Sequence, residues 1–170
     1  MKKRAVGYCR ISTLMQVDNT SLKDQENKII MYAKLHDIVI DELFIDKAVS
    51  GKSTDRPEYD NMMNYINAAH EATAQTEARI CVDAVQRYLN DEKEKGKLTG
   101  GMLLRLMGLD LSNSDGPLKD YISGGQKGAR IVSVEADLAT GRLQVLKYEN
   151  RYCTVKLNID EDGNITEASD

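Results

Sequence analysis

Residues 58–95 contain neither glycine nor proline. Those two residues are the strongest interrupters of regular structure, so the stretch can run as one long helix or as two shorter ones. Asp55 offers a capping carboxylate ahead of it, and Pro57 and Glu58 stand where a first helical turn accepts them. On either side of this stretch the hydrophobic period changes. Residues 4–9 (RAVGYC) form a short apolar run that reads as a buried strand. Asp18, Asn19, Thr20 and Ser21 supply turn chemistry, with Ser21 as an N-cap, and Leu22, Ile29, Ile30 and Ala33 then recur at helical spacing. Residues 38–40 and 43–45 form a second strand with a kink at Asp41 and Glu42. Strand, helix and strand in so short a span make a βαβ unit, whose strands pair in parallel.

Toward the carboxyl end the period becomes two. Residues 131–136, 143–148 and 152–159 alternate as strands, separated by Ala139-Thr140-Gly141 and Glu149-Asn150. They read as an antiparallel meander, with a fourth short strand at Ile165-Thr166. Between the long helix and the meander, residues 102–111 are an apolar run suited to core packing, and residues 118–122 a short helical turn. The expected fold is α/β at the start and α+β overall. A βαβ unit occupies residues 1–60, a helical segment residues 61–125 and a β-meander residues 126–170.

Several classes are disfavoured by composition. No apolar run is long enough for a membrane span, and the run after Lys2, Lys3 and Arg4 is too short for a secretory segment before Arg10. Cys9, Cys81 and Cys153 are odd in number and widely spaced, which points away from a disulfide scaffold or zinc ribbon and toward a reducing cytoplasm. A net charge of −4 does not hold nucleic acid by bulk attraction, and the negative excess lies beyond residue 60. Asn158, Asp160, Asp162 and Gly163 echo half of a calcium loop, but Ser169 stands where a closing glutamate belongs, so a strand-to-strand turn is expected. Gly124, Gly125 and Gly128 lack phosphate-loop spacing, and His36 and His70 lack metal-ligand spacing. No cofactor or metal is expected.

The stretch richest in chemistry is Tyr8-Cys9-Arg10-Ile11-Ser12-Thr13. Functional groups of parallel sheets gather just past the carboxyl ends of strands. Ser12 falls there, one alternation from Arg10, so the two side chains can point the same way. A serine hydroxyl is a weak nucleophile alone, but neighbouring guanidinium groups can hold a phosphate and stabilise the charge that develops on it. Gln16 and Gln25 can add hydrogen bonds. Asp46, at the end of the second strand, reaches the same edge, and the loop at residues 49–57 brings a second arginine, Arg56.

These motifs, YCRIST, then DNTSLKDQ, then FIDKAVSGKSTDRPE, resemble the start of a serine recombinase catalytic domain, of the resolvase/invertase type and its large-integrase branch. The likeness covers about residues 3–61. It implies a resolvase-like βαβ unit in which the serine at Ser12 attacks a DNA phosphodiester and forms a phosphoserine link to the 5′ end. Arg10 and Arg56 would embrace the phosphate, Gln25 and Asp46 would support the site, and no metal or nucleotide would be required. In that family an L-D-R-L-x-R motif follows. Its nearest counterpart here, residues 80–90, keeps Arg87 but has Gln86 for the acid and Asn90 for the second arginine, and reads more readily as a plain amphipathic helix than as a degraded form of the motif. The resemblance therefore implies a DNA-acting mobile-element protein, truncated or impaired in cleavage, with DNA as partner and a possible homo-oligomer. The acidic second part supports an alternative: a non-catalytic interaction protein, either an anti-CRISPR-type nuclease inhibitor or a regulator of a full-length recombinase. A chimera joined near residue 60 is a third reading, whose sign would be a first sheet with only two strands of its own.

Overall fold

The computed structural model describes residues 2–11, 20–47, 55–112, 115–123 and 127–168. The chain divides into two compact units, Met1–Ala68 and Ala69–Asp170. In the first, β1 (Lys3–Ile11), α1 (Thr20–Leu35) and β2 (Ile38–Lys47) form the expected βαβ unit, with β1 and β2 paired in parallel. The register runs from Lys3 opposite Ile38 to Ile11 opposite Lys47, and it slips between Ala5 and Val6 so that Asp41 is left without a partner. The kink expected at Asp41 and Glu42 is thus a bulge, and Asp41 turns to a bidentate contact with the guanidinium of Arg4. Helix α1 already begins at Thr20, which places Ser21 inside the first turn rather than at the cap.

Both faces of this ribbon are in use. Gly7 lets α1 approach closely: a Cβ there would overlap the Leu43 side chain and meet Ile29. On the other face Tyr8 meets Tyr59 edge-on, with ring centroids 5.5 Å apart, and Phe44 lies by Tyr65. Tyr59 and Tyr65 belong to α2 (Pro57–Glu94), a single uninterrupted helix of 38 residues.

In the second unit β3 (Arg130–Asp137), β4 (Arg142–Glu149), β5 (Thr154–Ile159) and β6 (Ile165–Glu167) form an antiparallel meander in chain order, separate from the first sheet. Strand β5 starts later than the alternation suggests, because Asn150 Oδ1 accepts the amides of Tyr152 and Cys153 and folds them into a turn. The half calcium loop is likewise a turn, with Asp160 accepting the amides of Asp162 and Asn164. Ala74, Ala78, Cys81, Val85 and Leu89 of α2 pack with Ile131, Leu143, Leu146 and Leu157 in one core, joined by Leu106 of α3 (Gly100–Leu106) and by Leu118. Small side chains along α2 let the helix lie near the sheet, and Leu89 supplies bulk. Among the described residues, the cysteines are free and no helix is long and apolar enough to cross a membrane.

Leu89 is fully buried whereas Ile80, on the same helix, is half exposed. Leu89→Ala is expected to destabilise the chain by about 2–5 kcal/mol and Ile80→Ala by no more than about 0.5 kcal/mol, read as shifts in the denaturant midpoint. Equal shifts would contradict this assignment of the core.

Candidate functional site

The parallel register sets Arg10 opposite Asp46 at the carboxyl ends of β1 and β2. Arg10 is held by its backbone. Its amide donates to Gln25 Oε1 at 3.2 Å, and Gln25 Nε2 donates to its carbonyl at 3.1 Å. The Gln25 amide acts as a short stand-in for a neighbouring strand and fixes α1 to the end of β1.

Asp46 is buried. Its carboxylate accepts the Tyr8 hydroxyl at 2.7 Å and the amides of Glu58 and Tyr59 at 3.1 and 3.2 Å. These two amides lie in the first turn of α2, where Asp60 N already donates to Arg56 O. A carboxylate from β2 therefore caps a helix that starts eleven residues later, and complements the positive end of its dipole. Burial alone would raise the Asp46 carboxyl. The hydrogen bonds from Tyr8, Glu58 and Tyr59, with the charge of Arg10, outweigh it and hold the group below its ordinary value. Burial and the adjacent carboxylate raise the Tyr8 phenol, while the charges of Arg56 and Arg10 pull against them. Both cations thus lie within electrostatic reach of one Tyr8–Asp46 pair. Among the described residues neither guanidinium is engaged in an ion pair or donates a hydrogen bond.

Of the residues singled out from the sequence, Arg10, Gln25, Asp46 and Arg56 come together in the first unit. Ser12 and Gln16 lie outside the described residues. Arg87 is in the second unit, on α2, where its guanidinium donates to the carbonyls of Tyr121 at 2.9 Å and Asp83 at 3.3 Å. Its neighbours in the weak motif are also engaged there. Gln86 donates to Asn90 Oδ1 and Gly141 O and accepts the Leu143 amide, tying α2 to the β3–β4 hairpin. Motif spacing does not single out the hydroxyl of Tyr8 or the amide of Tyr59. The signal for Tyr8 was present, since it stands one alternation before Arg10 on the same face of β1, but its apolar ring reads as core.

A strand-end arginine and a helix-start arginine thus lie near one helix-capping carboxylate. Residues 5–88 match the family described as Resolvase, N terminal domain, and over that stretch the chain is resolvase-like. The match extends past residue 61, along α2 as far as residue 88, and includes Arg87. No curated protein and no solved structure matches.

Asp46→Asn would turn an NH2 group toward one of three donors and remove the charge at the helix start. It is expected to cost about 1–3 kcal/mol. Because the native carboxyl titrates below its unfolded value of about 3.9, its stabilisation is complete above that pH and is lost as pH falls through the lower folded value. Acid unfolding followed by circular dichroism should be shallower in Asp46→Asn below about pH 4. An unchanged acid limb would contradict the capping role.

Proposed function

We propose that the amino-terminal unit handles DNA phosphodiesters in the manner of a serine recombinase, with Arg10 and Arg56 holding the phosphate and Ser12 as the nucleophile. The observation that carries this reading is the placement of Arg10 and Arg56 within electrostatic reach of the buried Tyr8–Asp46 pair, neither of them ion-paired among the described residues. Two cations gathered at one sheet edge suit an anion that arrives from outside.

In the proposed step the Ser12 oxygen bonds to phosphorus and the bond from phosphorus to the 3′ oxygen breaks. The serine proton ends on that leaving oxygen, and the 5′ end remains attached through a phosphoserine diester. The 3′ hydroxyl can reverse the step, so no external energy source enters. Asp46 and Gln25 are positioning residues: one sets the start of α2 and with it Arg56, the other fixes the strand segment of Arg10. Each absent charge-assisted contact costs on the order of 2–4 kcal/mol in the transition state. With Gln86 and Asn90 where the family has an acid and a second arginine, cleavage by this chain is slow.

A second reading is a non-catalytic regulator of a full recombinase or an inhibitor of a nucleic-acid-processing protein of a host. The engagement of Gln86, Arg87 and Asn90 within the second unit favours it, since those groups are spent on packing.

Incubation with supercoiled DNA that an intact relative cuts should accumulate a covalent protein–DNA adduct, absent in Ser12→Ala. Arg10→Ala and Arg56→Ala should each lower the salt slope of DNA binding by about one. Binding without any wild-type adduct would exclude the reaction and leave the regulatory reading. Salt slopes unchanged in both arginine variants would exclude the phosphate site itself.

A further inference from the structure

Helix α1 carries more apolar surface than its sheet uses. Ala33 is buried, and Ile29 lies against Gly7. Further round the helix, Met31, Tyr32 and Leu35 are 69%, 61% and 80% exposed. With Lys28 they occupy positions i, i+3, i+4 and i+7, a single stripe. Lys28, Met31, Tyr32, Lys34 and Leu35 together form a shallow, open and largely apolar surface groove on α1. Lys28 and Tyr32 also border a hollow of about 420 Å³ that reaches between helix and sheet to Ala5, Gly7 and Ile38. Exposed apolar side chains grouped in this way mark an interaction surface more often than scattered ones do.

The charges around the groove narrow the choice of occupant. Asp37 is paired with Lys2 at 3.0 Å and Asp41 with Arg4 at 2.9 Å. Lys28 and Lys34 have no ion pair among the described residues, and they are the charged side chains that border Met31, Tyr32 and Leu35. A second copy packed α1 against α1 would set these lysines against their own counterparts. A lipid-binding helix carries a polar face rich in Lys and Arg, whereas α1 interleaves Asp24 and Glu26 with its lysines.

We propose that this groove docks an acidic amphipathic helix of a partner protein, its apolar residues at i, i+3 or i+4 and i+7 seated on Met31, Tyr32 and Leu35, and its flanking carboxylates meeting Lys28 and Lys34. The surface is independent of the phosphate site, so a chain inactive on DNA would still present it.

The test is selection of helical peptides from a random library against the full chain, with affinities then measured by fluorescence anisotropy. Selected peptides should carry Asp or Glu beside apolar residues at that spacing. Binding should fall at least about tenfold in Lys28→Glu/Lys34→Glu and in Met31→Ser/Leu35→Ser. These positions are exposed, and circular dichroism should confirm that both variants keep the fold. Recovery of no peptide, of peptides without acidic bias, or of peptides that bind both variants unchanged would overturn the proposal. So would self-association of the wild type, or binding to phosphatidylserine vesicles, that Met31→Ser/Leu35→Ser abolishes while peptides fail to bind.

Discussion

The Asp46 carboxylate joins three parts of the chain that are distant in sequence. It accepts the hydroxyl of Tyr8 from β1, sits on β2 itself, and takes two first-turn amides of α2. A buried carboxylate needs such donors, because without them burial would drive it toward its neutral form. Meeting that need has a geometric result. The start of α2 is pinned to the carboxyl end of the sheet, so Arg56, the residue before the helix, is delivered to the same edge as Arg10. The link between folding and candidate chemistry is therefore one side chain, and the rest of the unit elaborates it. Gln25 performs a smaller version of the same task for β1.

Much of the architecture was legible locally. Alternation marked the strands, the run without glycine or proline marked α2, and Asp41-Glu42 marked the irregularity in β2. The site was legible only in part. Motif spacing singles out Arg10, Asp46 and Arg56, and the parallel register places Arg10 opposite Asp46. What no local pattern could carry was the helix cap. Capping rules look to the residues just before the first turn, whereas the amides of Glu58 and Tyr59 are met by a carboxylate on another element. Tyr8 and Tyr59 were missed for a related reason: an aromatic on a half-buried strand reads as packing, and its hydroxyl acquires a role only when its partner is known.

The region around Gln86, Arg87 and Asn90 shows the opposite case. As a sequence it reads as a weakened arginine motif, and the family match includes its arginine. As structure it is a helix–hairpin contact: the Gln86 amide pairs with both a carbonyl and an amide of the β3–β4 hairpin, and Arg87 closes on the Tyr121 carbonyl. Polar side chains that satisfy buried backbone in this way hold a helix at one height on a sheet. Gln86 thereby ties α2 to the hairpin beside the arginine that the family match includes.

Whether Arg10 and Arg56 act together on one phosphate can be read most directly from the arginine side-chain N–H resonances of the full chain, titrated with a short DNA oligonucleotide. The Nε–H signals of Arg10 and Arg56 should move together along one saturation curve while that of Arg87 stays in place. Movement of Arg87 with neither Arg10 nor Arg56 responding, or independent curves for those two, would contradict a shared phosphate site.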